Sequence, residues 1–283
     1  MVRDNKIWHL NHIPRILHIY WGGGKLNYLR FLTVKTFLAL NPDWQVIYWT
    51  PKEPFTGRSW GPEKGCEEIK DKHYKDYTSE LEKITTKTII DFKEYHYPDT
   101  MPEVHKNDYI RIYALFYYGG VWSDMDIIYF KPIDKLKVNT PENKNKESFV
   151  CIGSYGHSTG FNMAVERSEF FCKLYNEVLK QYQPRNYQIW GPDLFNKHFK
   201  TIHSIPGGVN ISMDAVYAHD CYHMPELLQD VPVRFNDESI GCHWYGGNSL
   251  WGKFLNRTNG GEVNLTNNII SKLIKDANRL KII

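Results

Sequence analysis

Residues 107–132 constrain the fold more than any other part of this chain. Their sequence, NDYIRIYALFYYGGVWSDMDIIYFKP, predicts a helix over 108–118 with Asn107 as its N-cap. The glycine pair 119–120 supplies the left-handed backbone that ends a helix, and Val121 begins a strand. A helix that passes directly into a buried strand is typical of an α/β domain.

Two carboxylates, Asp124 and Asp126, follow this strand directly. Residues two apart in an extended segment point to the same side, so both carboxylates can reach one site while Met125 turns into the core. Open α/β sheets bind ligands at the carboxyl ends of their strands. The sequence therefore predicts a divalent-cation site here. On the preceding helix Asp108 and Arg111 are three residues apart and can reach the same crevice.

This combination, Asp108, Arg111, the glycine pair, Asp124 and Asp126, resembles the core signature of glycosyltransferases that have the GT-A fold and a DXD sugar-binding region. The closest groups are the family 32 polysaccharide and mannan transferases and the clostridial glucosylating toxins. The alternative is a surface pair of aspartates after an ordinary helix.

The resemblance implies an α/β fold of the GT-A type in a single domain over residues 1–283, a length that one large domain can fill. It divides this domain into a Rossmann-like nucleotide-sugar-binding half at about 13–135 and an acceptor half with a lid at about 136–268. The polar stretch 50–102 is expected to be a surface insertion. Residues 269–283 are predicted to form a C-terminal amphipathic helix.

The resemblance also implies roles for these residues. Asp126 would hold Mn²⁺ or Mg²⁺, which neutralises a leaving diphosphate as a Lewis acid. Asp124 would bind the metal through water or hold ribose and sugar hydroxyls. Asp108 and Arg111 would hold the donor sugar. Family 32 enzymes retain the anomeric configuration, so retention is expected here.

Near the N-terminus a short apolar strand over 16–21 ends at the glycine run 22–24. It is neither a phosphate-binding Gly-Lys-Ser/Thr loop nor a dinucleotide fingerprint. It resembles the opening of family 32, which makes Tyr20, Trp21 and Gly22 candidate contacts to the base or ribose. Residue type alone favours an ordinary core strand.

Hydrophobic spacing predicts the remaining elements. The pattern gives helices over 28–40, 63–73, 79–86 and 168–182, strands over 46–49, 127–130 and 149–154, and a polar turn over 156–162. The strand, helix and strand that open the chain are typical of a nucleotide-binding α/β half.

The segment Trp190-Gly191-Pro192-Asp193 resembles a Thr-Gly-Pro element of the family, with Trp in place of Thr. Pro at the start of a helix and an acid in its first turn are both favourable. Asp193 either faces the acceptor or only stabilises the helix start.

The glycine-rich segment 241–252 resembles the closing element of the family, a His followed by Ser and Trp. His243 is a candidate metal ligand, and Ser249 and Trp251 are candidate donor contacts. We expect a mobile lid that closes over the diphosphate. The alternative is a fixed connection whose tryptophans belong to the core.

Composition bears on the binding partners and the cellular compartment. Lys plus Arg exceeds Asp plus Glu only by 35 to 32, which gives no argument for nucleic acid. The five cysteines form no C-x-x-C pair and indicate reduced thiols in a cytosol-like compartment. We expect a cytoplasmic protein. The apolar stripe of 269–283 either docks on the domain or gives peripheral membrane contact.

The sequence thus predicts a metal-dependent, hexosyl-type glycosyltransferase. It would move a sugar from a UDP-sugar or GDP-sugar to a glycan or lipid-linked hydroxyl, as in polysaccharide biosynthesis. Two alternatives remain: a sugar-1-phosphate nucleotidyltransferase on a similar scaffold, and a non-catalytic carbohydrate-binding protein built on the abundant aromatic residues.

Overall fold

The structure is a computed structural model that describes residues 7–282 except 23, 56–73, 99, 181, 183–186, 233, 264 and 265. Its strands and helices follow the order β1 (Ile16–Tyr20), α1 (Tyr28–Leu40), β2 (Gln45–Pro51), α2 (Thr78–Lys83), β3 (Thr86–Ile90), α3 (Glu103–Tyr118), β4 (Gly120–Ser123), β5 (Ile127–Tyr129), β6 (Ser148–Gly153), β7 (Gly156–Ala164), α4 (Glu169–Val178), α5 (Pro192–His198), β8 (Gly208–Asn210), β9 (Gly241–His243), α6 (Trp251–Arg257) and α7 (Ile269–Arg279).

Within the described residues a seven-stranded sheet has the order β3-β2-β1-β4-β7-β6-β8. All of its strands run in one direction except β7, which is antiparallel to both of its neighbours. The predicted α/β class is therefore confirmed, with the central, mostly parallel sheet that was expected for the GT-A fold.

Helix α1 has the bounds predicted from the sequence. The side chain of Asn27 caps it by accepting a hydrogen bond from the Arg30 backbone N–H at 2.9 Å. At the other end the helix stops at Asn41, immediately before Pro42, because the residue before proline disfavours helical backbone. The helix packs against β5 and carries Arg30 in its first turn.

Helix α3 begins at Glu103, so the predicted start at 108 with Asn107 as its cap was wrong. The preceding residue is Pro102, and the extra first turn buries His105 and Lys106. The predicted stop is confirmed: Gly119 and Gly120 have φ angles of +62° and +92°. A Cβ at Gly120 would lie 2.5 Å from the Ile16 carbonyl oxygen, so only glycine fits this turn.

The polar stretch 50–102 is more than a surface insertion. It supplies α2 and the edge strand β3, which pairs in parallel with β2. Most of the side chains of β3 are exposed, as an edge strand allows. The segment therefore lacks the apolar pattern by which a strand is recognised in a sequence. The helix predicted over 63–73 lies outside the described residues.

The polar turn predicted over 156–162 was wrong, because this segment is the long strand β7. Two of its buried polar side chains make hydrogen bonds inside the fold: Thr159 Oγ1 accepts from Arg111 Nη1 at 3.1 Å, and Asn162 Nδ2 donates to the Thr159 carbonyl at 2.6 Å. Polar residues that find buried partners do not show the alternation used to recognise a strand.

Two C-terminal segments pack onto the domain. Strand β9 pairs with β5, which places His243 opposite Ile127. The apolar stripe of α7 is buried in a hydrophobic cluster with α1, β5 and α6, so docking on the domain is the arrangement found for it. None of the helices in the described ranges is long and apolar enough to cross a membrane.

Candidate functional site

Asp124, Asp126 and His243 meet where β4, β5 and β9 come together. Each offers one ligand atom, and these atoms all lie within 4.8 Å of one another. Asp124 follows β4 and Asp126 precedes β5, whereas Met125 between them is buried in the core. The structure thus brings together the three residues predicted as metal ligands.

Asp126 is buried and ionised. Burial alone would raise its pKa, but nearby His243 and Arg30 and a hydrogen bond from the Gly246 backbone together hold the pKa well below its usual range. The Gly246 N–H donates to Oδ2 at 2.7 Å. The site therefore carries a fixed negative charge at neutral pH.

The donor set fits a divalent cation. Oδ1 of Asp126 is buried and, among the described residues, accepts no hydrogen bond. Nε2 of His243 lies 3.1 Å from this oxygen, but not in hydrogen-bonding geometry. A buried carboxylate oxygen without a donor is costly unless a cation satisfies it. Carboxylate with imidazole is a ligand combination that suits Mn²⁺.

Arg111 joins the helix to this cluster. It is buried, and its guanidinium donates to Asp108 Oδ1 at 2.5 Å and to Asp124 Oδ1 at 3.1 Å. Burial raises the pKa of Asp108 to about 6; Asp124 adds to the rise, and Arg111 opposes it. The predicted convergence of Asp108 and Arg111 on the crevice of the paired carboxylates is what the structure shows.

The two oxygens of Asp124 have different surroundings. Oδ1 accepts from Arg111 and from the Trp122 indole N–H at 2.9 Å. Oδ2 faces Gly160 and Tyr217: a Cβ at Gly160 would lie 2.7 Å from it and 2.9 Å from the Tyr217 hydroxyl. That hydroxyl is buried and has no hydrogen-bond partner in the described part of the chain. Oδ2 is thus the oxygen left for an ion or a ligand.

The three residues predicted to line a nucleotide pocket differ in burial. Tyr20 is buried and its hydroxyl donates to Glu103 Oε2 at 2.5 Å, so it is the core residue of the alternative interpretation. Gly22 packs so closely against Glu103 and the Tyr20 hydroxyl that a side chain has no room. Trp21 is only partly buried and stacks against Arg30.

The segment 241–252, predicted to be a mobile lid, places two tryptophan rings in the core. Trp251 and Trp244 are fully buried, with ring centroids 4.9 Å apart, in the hydrophobic cluster that also holds α7. The Trp251 indole N–H donates to the Met224 sulfur. The burial of both rings agrees with the alternative interpretation, in which the tryptophans belong to the core, and the donor contact of Trp251 stays a prediction. Ser249 is exposed at the start of α6.

Asp193 is exposed in the first turn of α5. Two residues earlier, Gly191 lies against the Asp108 carboxylate, and a Cβ there would be 3.2 Å from Oδ2. The turn is therefore next to the site.

Three contributors were not identified from the sequence. Tyr217 and Thr159 lie at the cluster, and the guanidinium of Arg30 lies over the rings of Trp21 and Trp244. The one local signal for Arg30 is its position, because a cation in the first turn of a helix is unfavourable next to the positive end of the helix dipole.

Residues 30–143 match the family described as "Glycosyltransferase sugar-binding region containing DXD motif", which confirms the resemblance over this part of the chain. No curated protein sequence matches the chain.

Several solved structures are similar. One is titled "PaToxG Glycosyltransferase", with 17% identity, a TM-score of 0.44 and coverage of 65% of this chain and 67% of that one. Another is a galactosyltransferase titled LgtC, in complex with donor and acceptor sugar analogues, with 12% identity, a TM-score of 0.40 and coverage of 89% and 97%. A third, GlyE of Streptococcus pneumoniae TIGR4, has 10% identity, a TM-score of 0.42 and coverage of 94% and 65%.

Proposed function

We propose that this chain, a glycosyltransferase with a DXD-type sugar-binding region, transfers a hexose with retention from a UDP-sugar or GDP-sugar to a hydroxyl of a glycan or lipid-linked acceptor. The observation that carries the proposal is the convergence of Asp124, Asp126 and His243 beside the ion pairs of Arg111. Polysaccharide biosynthesis is the process that such an acceptor class implies.

Mn²⁺ or Mg²⁺, when held by Asp124, Asp126 and His243, supplies positive charge to a leaving diphosphate as a Lewis acid. Because Asp126 stays ionised, its carboxylate is ready to bind a cation at neutral pH. Arg111 and Trp122 hold Oδ1 of Asp124 and so keep Oδ2 directed to Gly160. This preorganisation lowers the reorganisation that the reaction requires.

In the proposal Asp108 and Arg111 position the donor sugar. The Asp108 carboxyl, with a pKa of about 6, is mostly an acceptor of hydroxyl hydrogen bonds at neutral pH. Residues 13–135 form the nucleotide-sugar half, and residues 136–268 form the acceptor half, where the exposed Asp193 faces the acceptor and the exposed Ser249 contacts the donor. Trp21 is the base or ribose contact, and the backbone of Gly22 lies beside it.

A thermal-shift panel of UDP-hexoses and GDP-hexoses tests the proposal, each with Mn²⁺ and with chelator. A ligand at a hundred times its dissociation constant adds about 2.7 kcal/mol to the free energy of unfolding. We expect stabilisation by one nucleotide class with Mn²⁺, followed by slow release of free sugar from that donor.

Two results would contradict the proposal. Release of pyrophosphate from a nucleoside triphosphate and a sugar 1-phosphate would identify a nucleotidyltransferase. Binding of glycans without metal, together with no shift from any nucleotide sugar, would identify a carbohydrate-binding protein.

A further inference from the structure

Arg30 is a partly buried cation in contact with two indole rings. The carbon at the centre of its guanidinium lies 4.8 Å from the ring centroid of Trp21 and 5.3 Å from that of Trp244. Contact with two rings restricts the rotamers of the side chain and the plane of its guanidinium. The N–H donors at the edge of that plane are left for hydrogen bonds.

Those donors have no partner among the described residues. No carboxylate there forms an ion pair with Arg30. Its hydrogen bond to Asn27 is donated by the backbone N–H and not by the guanidinium. Arg111 provides the contrast, because its guanidinium is already neutralised by Asp108 and Asp124. Of the two arginines at the site, Arg30 is the one with charge left for a ligand.

The position of Arg30 ties it to the metal cluster. Its Nη2 lies 2.7 Å from where a Cβ of Gly246 would be, and the N–H of Gly246 donates to Asp126 Oδ2. The charge of Arg30 also lowers the pKa of Asp126. The guanidinium and this carboxylate therefore flank the same backbone segment.

We infer that Arg30 binds the diphosphate of the nucleotide substrate, with its guanidinium held by Trp21 and Trp244 and directed to the phosphate oxygens next to the Asp126 cation site. A planar fork of N–H donors matches phosphate oxygens in pairs, which a compact ammonium group does not. A first-turn cation that opposes the helix dipole is explained by a bound anion. The inference rests on the proposed function and assigns its leaving-group contact to a residue of α1.

Isothermal titration with four proteins tests this assignment: the wild type, Arg30→Gln, Arg30→Lys and Lys35→Gln. The last is the matched control, because Lys35 lies on the same helix and its amine contacts Tyr28 instead of the site. The ligands are UDP and GDP with Mn²⁺, uridine and guanosine with Mn²⁺, and inorganic pyrophosphate without metal.

Arg30→Gln should weaken binding of the preferred diphosphate by about 10-fold to 100-fold, as expected for a charge-assisted hydrogen bond. Nucleoside binding should stay unchanged, pyrophosphate binding should fall with that of the diphosphate, and Lys35→Gln should match the wild type. Arg30→Lys should fall between the wild type and Arg30→Gln because it keeps the charge without the fork.

Equal losses for nucleoside and diphosphate would overturn the assignment, since Arg30 would then only support the two indole rings. Unchanged diphosphate affinity would overturn it as well. If Arg30→Gln does not fold, the same comparison with Arg30→Lys decides.

The proposed function fails separately, if the wild type binds pyrophosphate through Arg30 but binds neither UDP nor GDP. If the wild type binds none of the three, both the function and the assignment are overturned.

Discussion

Nε2 of His243 lies 3.1 Å from Oδ1 of Asp126; His243 ends β9, and Asp126 immediately precedes β5, the strand that pairs with β9. The pairing of β5 with β9 fixes this distance through the backbone. The imidazole therefore lies beside the paired aspartates.

Removing the Asp126 carboxylate should abolish metal-dependent turnover. We expect Asp126→Ala to lower donor hydrolysis by at least about 10² to 10³, the usual effect of losing one preorganised electrostatic group. The measurement is sugar release with Mn²⁺, with circular dichroism as the check on folding. Asp230→Asn, which removes an exposed pair with Lys272, is the control. Near wild-type hydrolysis by a folded Asp126→Ala protein would refute the metal assignment.

The ion pairs of Arg111 should make a large contribution to stability. Arg111→Met leaves Asp108 and Asp124 without their cation, and breaking a buried pair in this way typically costs about 3–5 kcal/mol. Urea unfolding of the metal-free protein measures the cost. The double variant Arg111→Met/Asp108→Asn should recover part of it, because one of the uncompensated carboxylates is then neutral. No recovery would mean that packing of the Arg111 side chain dominates.

His18 should make the protein sensitive to mild acid. Burial lowers the pKa of His18 to about 4; a hydrogen bond to the Gly119 carbonyl opposes the shift, and Nδ1 accepts from the Trp49 indole. Its usual value in an unfolded chain is about 6.5. Between these values the unfolded chain binds a proton that the folded chain does not. Stability is therefore complete above pH ~6.5 and falls by up to about 3 kcal/mol as the pH drops to ~4.

Urea unfolding between pH 7 and pH 4 checks this prediction against His18→Asn, which does not titrate in this range. The difference between the two slopes isolates His18 from the other histidines. Parallel slopes would contradict the prediction.

Gly160 should be required at the site for reasons of space. A Cβ there would lie 2.7 Å from Asp124 Oδ2, so Gly160→Ala should displace this oxygen and lower Mn²⁺ affinity. Gly252→Ala is the matched control in α6, where a Cβ meets no atom within 4 Å and helix propensity favours alanine by up to about 1 kcal/mol. Mn²⁺ titration of both variants should separate them, and equal affinities would show that the Asp124 side chain adjusts freely.

The parts of the site that lie close together in the sequence were predictable. Asp108 and Arg111 lie on one helix, and Asp124 and Asp126 lie in the turn that follows the next strand, so all four are close together in the sequence. The glycine pair 119–120 could be predicted for the same reason, because a helix end and a strand start impose recognisable backbone angles.

The parts that depend on tertiary contacts were not predictable. Thr159 lies on a strand whose buried polar side chains do not show the alternation expected of a strand. The role inferred for Arg30 depends on its contacts with Trp21 and Trp244, which are distant in the sequence or come from another element. The glycine content of 241–252 predicted a mobile segment, whereas the burial of the Trp251 ring depends on tertiary packing that the sequence does not reveal. Tyr20 gives the same lesson, since Glu103 lies 83 residues away in the chain.

The two sides of the metal site around the small β5–β9 sheet are synthesised at different times. Gly246, whose N–H holds the Asp126 carboxylate, is made 120 residues after Asp126. At a synthesis rate of about 5–20 residues per second, roughly 6–24 s separate the two on the ribosome. During that interval the aspartate pair exists without its imidazole and its backbone donor. A ribosome stalled within the interval would present a chain with half a metal site.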